Sequence, residues 1–141
     1  MKITKKAGCA ISILTVIGKN KNKIVSVKTI ARESSFSEPF TRKVMRELEK
    51  FSYVKSIMGP KGGYILNKKP SEINLDKLLN DLDEKKDMIE CVYNKSCTLH
   101  AGCMINFTMH KLNSDVREIF RKYTIDDFIK GVDYGKVGLS R

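Results

Sequence analysis

Acidic residues are scarce in the first half of this sequence. Residues 1–70 contain 4 Asp and Glu against 16 Lys and Arg, while residues 71–141 contain 12 against 11. The positive excess, +11 at pH 7, therefore belongs to the first half. Such a block points to a polyanionic partner rather than to general solubility. Long apolar runs are missing too. The stretch Ala7–Gly18 is far shorter than the roughly 20 residues a membrane-crossing helix needs. Lys2, Lys5 and Lys6 ahead of it resemble the opening of a signal peptide, but no small-x-small cleavage site follows, only Lys19-Asn20-Lys21-Asn22-Lys23. The expected location is the cytoplasm, where thiols stay reduced, with no membrane partner. No nucleophile–base pair, phosphate loop or paired carboxylates stand out, so no enzyme is expected. There is no internal repeat.

What is present fits about one domain: 141 residues with an ordinary 41% apolar content. Residues 3–18 read as a helix. Ile3, Ala7, Ala10, Ile11, Leu14 and Ile17 form its broad apolar face, and Cys9, Ile13 and Val16 form a narrower stripe nearly opposite. Two apolar faces predict burial on both sides, against the chain's own core and a partner. Ile24-Val25 reads as a short extended piece, and Ser26 as N-cap of a helix over Val27–Ser34. After a serine-rich turn, Ser37, Glu38 and Pro39 open another helix. Its apolar face is Phe40, Val44, Met45, Leu48 and Phe51, and its opposite face carries Thr41, Arg42, Lys43, Arg46 and Lys50. Two strand-like runs, Tyr53–Met58 and Tyr64–Leu66, flank the turn Gly59-Pro60-Lys61-Gly62-Gly63. That order predicts a mainly α protein with a small β-hairpin wing, a winged helix-turn-helix over 1–70.

Beyond Pro70, Leu75–Leu82 reads as a short helix and Asp83–Lys86 as loop. A long helix follows, in which Ile105, Met109, Leu112, Val116, Ile119 and Tyr123 alternate gaps of four and three. Met104, Phe107 and Phe120 widen this seam, which reads as a dimerisation helix because so small a first domain leaves little to cover it. Thr124–Ile129 begins one more turn of helix, with Thr124 as its cap and Asp126 and Asp127 in its first turn. The expected division is a DNA-binding domain at 1–70, a cysteine loop and dimerisation helix at 71–131, and a tail at 132–141.

A basic helix alone usually means a solvated charged face. Here it coincides with a turn-linked helix pair, a glycine hairpin and the whole charge excess, and together these predict binding to double-stranded DNA. Lys and Arg attract phosphates without regard to sequence. Arg42 and Lys43, in the first turns, are placed for base edges, and Lys61 at the hairpin tip for backbone or minor groove.

Three of the 4 cysteines, Cys91, Cys97 and Cys103, stand in one segment with five residues in each gap. Structural zinc sites pair their ligands more closely, as C-x₂₋₄-C. A two-thiol redox switch is a second reading. A loop of soft thiolates suits an iron–sulfur cluster, [2Fe-2S] or [4Fe-4S], best.

These features converge on a resemblance. The hairpin Gly59-Pro60-Lys61-Gly62-Gly63-Tyr64-Ile65-Leu66, the segment Ile73-Asn74-Leu75, the cysteine triplet, the start Met1-Lys2-Ile3-Thr4 and the ending Tyr123-Thr124-Ile125-Asp126-Asp127-Phe128 resemble the Rrf-type winged-helix regulators. That family includes IscR-like regulators of iron–sulfur assembly and NsrR-like nitric-oxide sensors. The resemblance implies a homodimer on a palindromic operator, acting as a repressor whose affinity follows a cluster held by the three cysteines. It also marks three departures. Asn106 stands where IscR-like members place a histidine ligand. Gly8 stands where NsrR-like members offer an aspartate from the partner chain. Arg42 stands where IscR-like members carry an acidic specificity residue. The fourth ligand stays open between Cys9, His100 and a group that comes and goes. A cluster-free zinc or thiol switch on the same fold is the alternative.

Overall fold

The computed structural model describes residues 3–82, 97 and 102–135. Thr4 starts the first helix, α1 (Lys5–Lys19), by accepting a hydrogen bond from the Ala7 amide at 3.1 Å. Ile3 is left outside the helix and exposed. Both apolar stripes of α1 are buried inside the protomer: Cys9 and Ile13 are as inaccessible as Ala10 and Leu14. The expectation that the narrow stripe faces a partner is thereby corrected, because Cys9, Ile13 and Val16 lie in one core cluster with Ile30, Val44, Met45 and Leu48.

Ser26 caps α2 (Val27–Ser34) by accepting from the Thr29 amide at 3.2 Å. Ser35 turns the chain in a left-handed conformation, φ 61°, and α3 (Glu38–Lys50) follows. Ser37 has extended cap geometry, but its side chain makes no capping bond. The wing is an antiparallel pair, β1 (Val54–Ile57) with β2 (Gly63–Leu66), in register Val54 to Leu66. Val25 joins its edge through two backbone bonds with Tyr64, at 3.0 and 2.8 Å. Gly63 permits this approach, since a Cβ there would collide with the Val25 carbonyl oxygen.

A 3₁₀ turn, Pro70–Glu72, leads to α4 (Leu75–Leu82). The segment 83–96 lies outside the described residues, and with it the expected loop and Cys91, as does His100. Then come α5 (Asn106–Arg121) and α6 (Ile125–Gly135). The latter is longer than the single turn expected and takes in residues 132–135, which the sequence assigns to a tail. One core cluster draws on both halves of the chain. Ile30, Val44, Met45, Leu48 and Tyr53 pack with Ile73, Leu78, Leu82 and Ile125. Residue 70 therefore does not divide two separate cores.

Candidate nucleic-acid interface and thiol site

The interface begins with the period of α3. Val44, Met45 and Leu48 face inward, fully buried, which turns Arg42, Lys43, Arg46 and Lys50 outward to solvent. Thr41 goes with the inner group. It is 0% exposed and its Oγ1 has no hydrogen-bond partner among the described residues. Thr41 is thus removed from the expected DNA-contacting set, because its position shares the spacing of Val44, Met45 and Leu48 rather than that of the basic residues. Lys61 is exposed at the wing tip, beyond Gly59 with φ 119°.

The sequence reading missed how the acids of α3 are used. Glu47 pairs with Lys6 of α1 at 3.0 Å, and Glu49 accepts the Ser56 hydroxyl of β1 at 2.6 Å. Both tie α3 to neighbouring elements. Glu38 instead holds Arg42, Nη2 to Oε1 at 2.6 Å. The i,i+4 spacing of this pair was readable in the sequence. Also missed were Lys28, Arg32 and Lys55, exposed on α2 and β1, which extend the basic surface beyond α3.

At the wing's base, Tyr53 is buried and donates its hydroxyl to Asp81 at 2.6 Å, while Lys68 lies 4.8 Å from its ring centroid. Burial first, and then the Asp81 carboxylate, push the Tyr53 hydroxyl far above the usual tyrosine range. Burial alone would raise Asp81, but the Tyr53 hydrogen bond and the Lys77 ammonium outweigh it and hold the carboxyl low. This contact fixes the end of α4 against the junction of α3 and the wing.

Of the thiols, Cys97 and Cys103 are half-buried and free. Cys103 lies just before α5, its carbonyl accepting from the Asn106 amide at 3.2 Å. Cys9 is 0% exposed in the core, where burial pushes its thiol up to about 11 against the opposing pull of Lys5. A ligand there would have to reach through the packed side chains of its own protomer. Among the described residues no group of three or more metal-ligating side chains is gathered, and Cys91 and His100 lie outside them. The donor set still suits an iron–sulfur cluster in kind, since two soft, unpaired thiols stand on the segment that leads into α5. Asn106 begins α5 with a carboxamide, and Gly8 offers no side chain, with open space where a Cβ would stand.

The apolar seam along α5 is largely exposed, with Met109 and Val116 half-buried. Ile105, Leu112, Ile119 and Tyr123 are all exposed, and Phe107 is 82% exposed beside them. A groove of about 540 Å³ lined by Leu75, Ile119, Phe120, Tyr123 and Phe128 continues that surface toward α6. The helix is fixed to the body by charge. Asp76 of α4, 7% exposed at its side chain, takes Arg117 through two bonds at 3.1 and 3.2 Å and Arg121 at 3.2 Å.

Comparison with known proteins gives a consistent result. A family model described as Rrf2, iron-dependent transcriptional regulator, matches residues 3–131. The HTH-type transcriptional regulator NsrR of Bacillus licheniformis is 30% identical over 137 residues, covering 95% of this chain and 96% of that one. Among solved structures, T. potens IscR superposes with a TM-score of 0.78 at 20% identity, covering 99% of this chain and 94% of the other. CymR, the global cysteine regulator of B. subtilis, does so at 0.75 and 22% identity, covering 92% and 97%. Both likenesses concern the fold.

Proposed function

The chain belongs to the Rrf2 family of transcriptional regulators, and on that premise we propose that it is a homodimeric repressor whose hold on a palindromic operator is set by an iron–sulfur cluster. Cys91, Cys97 and Cys103 would hold the cluster. The observation that carries this reading is the junction at Cys103. There a free, half-buried thiol lies just ahead of a helix whose apolar seam is exposed. When bound, such a cluster supplies a redox- and nitric-oxide-reactive centre whose integrity reports on iron and sulfur supply.

The protein's own residues do the rest. Gathering the thiols fixes the approach to α5. The Asp76–Arg117 pair joins α5 to α4, and α4 is joined to the wing through Tyr53 and Asp81. Loss of the constraint shifts the population between DNA-competent and DNA-released states. Arg42, Lys43, Arg46, Lys50 and Lys61 meet the duplex. Nitric oxide is the signal we favour, because Asn106 replaces the IscR-type histidine and the Bacillus licheniformis relative is an NsrR. Among the described residues no helix is long and apolar enough to cross a membrane.

Anaerobic purification tests the reading. Visible absorption with matching iron and sulfide, both lost in Cys91→Ala and on nitric oxide treatment, is the expected result. Operator affinity equal in holo and apo protein would overturn the switch. One specific observation favours a second reading, a cluster-free zinc or thiol regulator. Asn106, Gly8 and the sealed Cys9 leave the described residues without a fourth ligand. Anaerobic protein free of iron and sulfide, with affinity that follows zinc content or thiol oxidation, would establish it.

A further inference from the structure

We infer that Glu38 is a positioning residue for sequence recognition, holding the Arg42 guanidinium so that Arg42 reads a base edge while its neighbours bind phosphate. The inference rests on the DNA-binding reading of α3. Arg42 and Glu38 are partly exposed, 53% and 41% at their side chains, and paired at 2.6 Å. Among the described residues, Lys43 and Arg46 on the same face have no carboxylate within ion-pair distance. The other two acids of α3 are engaged with Lys6 and Ser56. Of the three acids of α3, Glu38 is the one paired with a cation of the outward basic face.

That pairing has a physical meaning. A cation that serves phosphate needs charge but no direction, and a carboxylate beside it weakens its pull. A guanidinium that reads guanine needs a fixed fork, since both O6 and N7 must be met at once. An exposed i,i+4 pair is worth only about 0.3–0.5 kcal/mol, so stability does not explain it. Glu38 sits at the first position of α3, where the positive helix end favours a carboxylate. The bond engages one N–H of Nη2 and leaves the remaining guanidinium N–H groups for the base. Pro39 follows in the first turn and stiffens the backbone that carries Glu38.

The test is selection from a random-sequence duplex library by anaerobically purified full-length protein, comparing wild type with Glu38→Gln, Arg42→Ala and the double variant. Wild type is expected to select a guanine at one position in each half-site. Arg42→Ala should erase the preference at that position. Glu38→Gln should relax it about tenfold, within the range of one bidentate contact. Its affinity for random DNA should not fall, and its melting temperature should drop by no more than the few degrees that a lost helix-end charge and one exposed pair account for. The double variant should look like Arg42→Ala alone at that position. If Arg42→Ala relaxes one position and Glu38→Gln relaxes none, Glu38 does not position Arg42, while the DNA-binding reading stands. If Glu38→Gln relaxes every position together or lowers the melting temperature by more than that, its role is to build the helix start and the inference falls. If wild type selects no sequence, the reading beneath the inference fails with it.

Discussion

Thr41 and Asp81 show how much a single buried polar atom decides. Thr41 Oγ1 is buried with no partner among the described residues. Valine has nearly the same shape without the hydroxyl, so Thr41→Val should raise stability by about 1 kcal/mol in urea titrations. A loss of stability would mean that the hydroxyl has a partner after all. Asp81 has the opposite character. Its folded-state carboxyl is held below the ordinary value of 3.8 by Tyr53 and Lys77. A depressed acid contributes stability in full above its unfolded pKa and loses it as pH falls through the folded one. The melting temperature should therefore drop as pH falls below about 4, and Asp81→Asn should be less stable at neutral pH with a flatter acid limb. An unchanged acid limb would remove Asp81 as the cause. Both residues show what the sequence offers at this scale. The spacing 41, 44, 45, 48 already put Thr41 on the inner face, and its hydroxyl argued for the outer one. Asp81 gave no signal, because its partner Tyr53 is 28 positions away.

Elements bounded by local chemistry were legible, and elements held by distant contacts were not. Ser26 fixed α2, and Leu75–Leu82 emerged with the expected limits. Thr124 was read as the cap of α6, and its amide and hydroxyl both donate to Asp127, at 2.7 and 2.9 Å. The length of α6 was hidden by Gly131, which lies within the helix. The union of α4 with α5 was hidden by distance, since Asp76 meets Arg117 and Arg121 from 41 and 45 positions away. Asp76→Ala should cost about 2 kcal/mol, less than for a fully buried pair because both arginines keep some water. The loss should appear as earlier exchange of α5 amides, and exchange unchanged in α5 would mean that apolar packing alone holds the helix. Gly63→Ala tests the wing in the same way. Its new methyl would meet the Val25 carbonyl, so the Val25–Tyr64 bridge should open and the wing amides exchange faster, and a bridge that stays closed would show that the strands yield instead.

At the scale of the molecule, the division of apolar surface decides the assembly. The sequence showed two surplus apolar faces, one on α1 and one on α5, and offered a partner for both. The structure buries the first within the protomer, in one core cluster with Ile30 of α2 and Val44, Met45 and Leu48 of α3, and leaves the second exposed. On the proposed homodimer reading the seam is where a second copy would dock, with Leu112 and Ile119, 48% and 52% exposed, on its line. Changing both to glutamate adds charge to a surface already in water, so the protomer should fold with a stability within about 0.5 kcal/mol per site. Two facing seams could no longer pack dry, and sedimentation should show a monomer. A monomer grips one half-site without its tethered twin, so operator affinity should fall by about 100-fold or more. A single half-site duplex should be bound almost as before. A variant that remains dimeric would show that the copies meet elsewhere, while a monomer that keeps full operator affinity would show that each protomer reads its site alone.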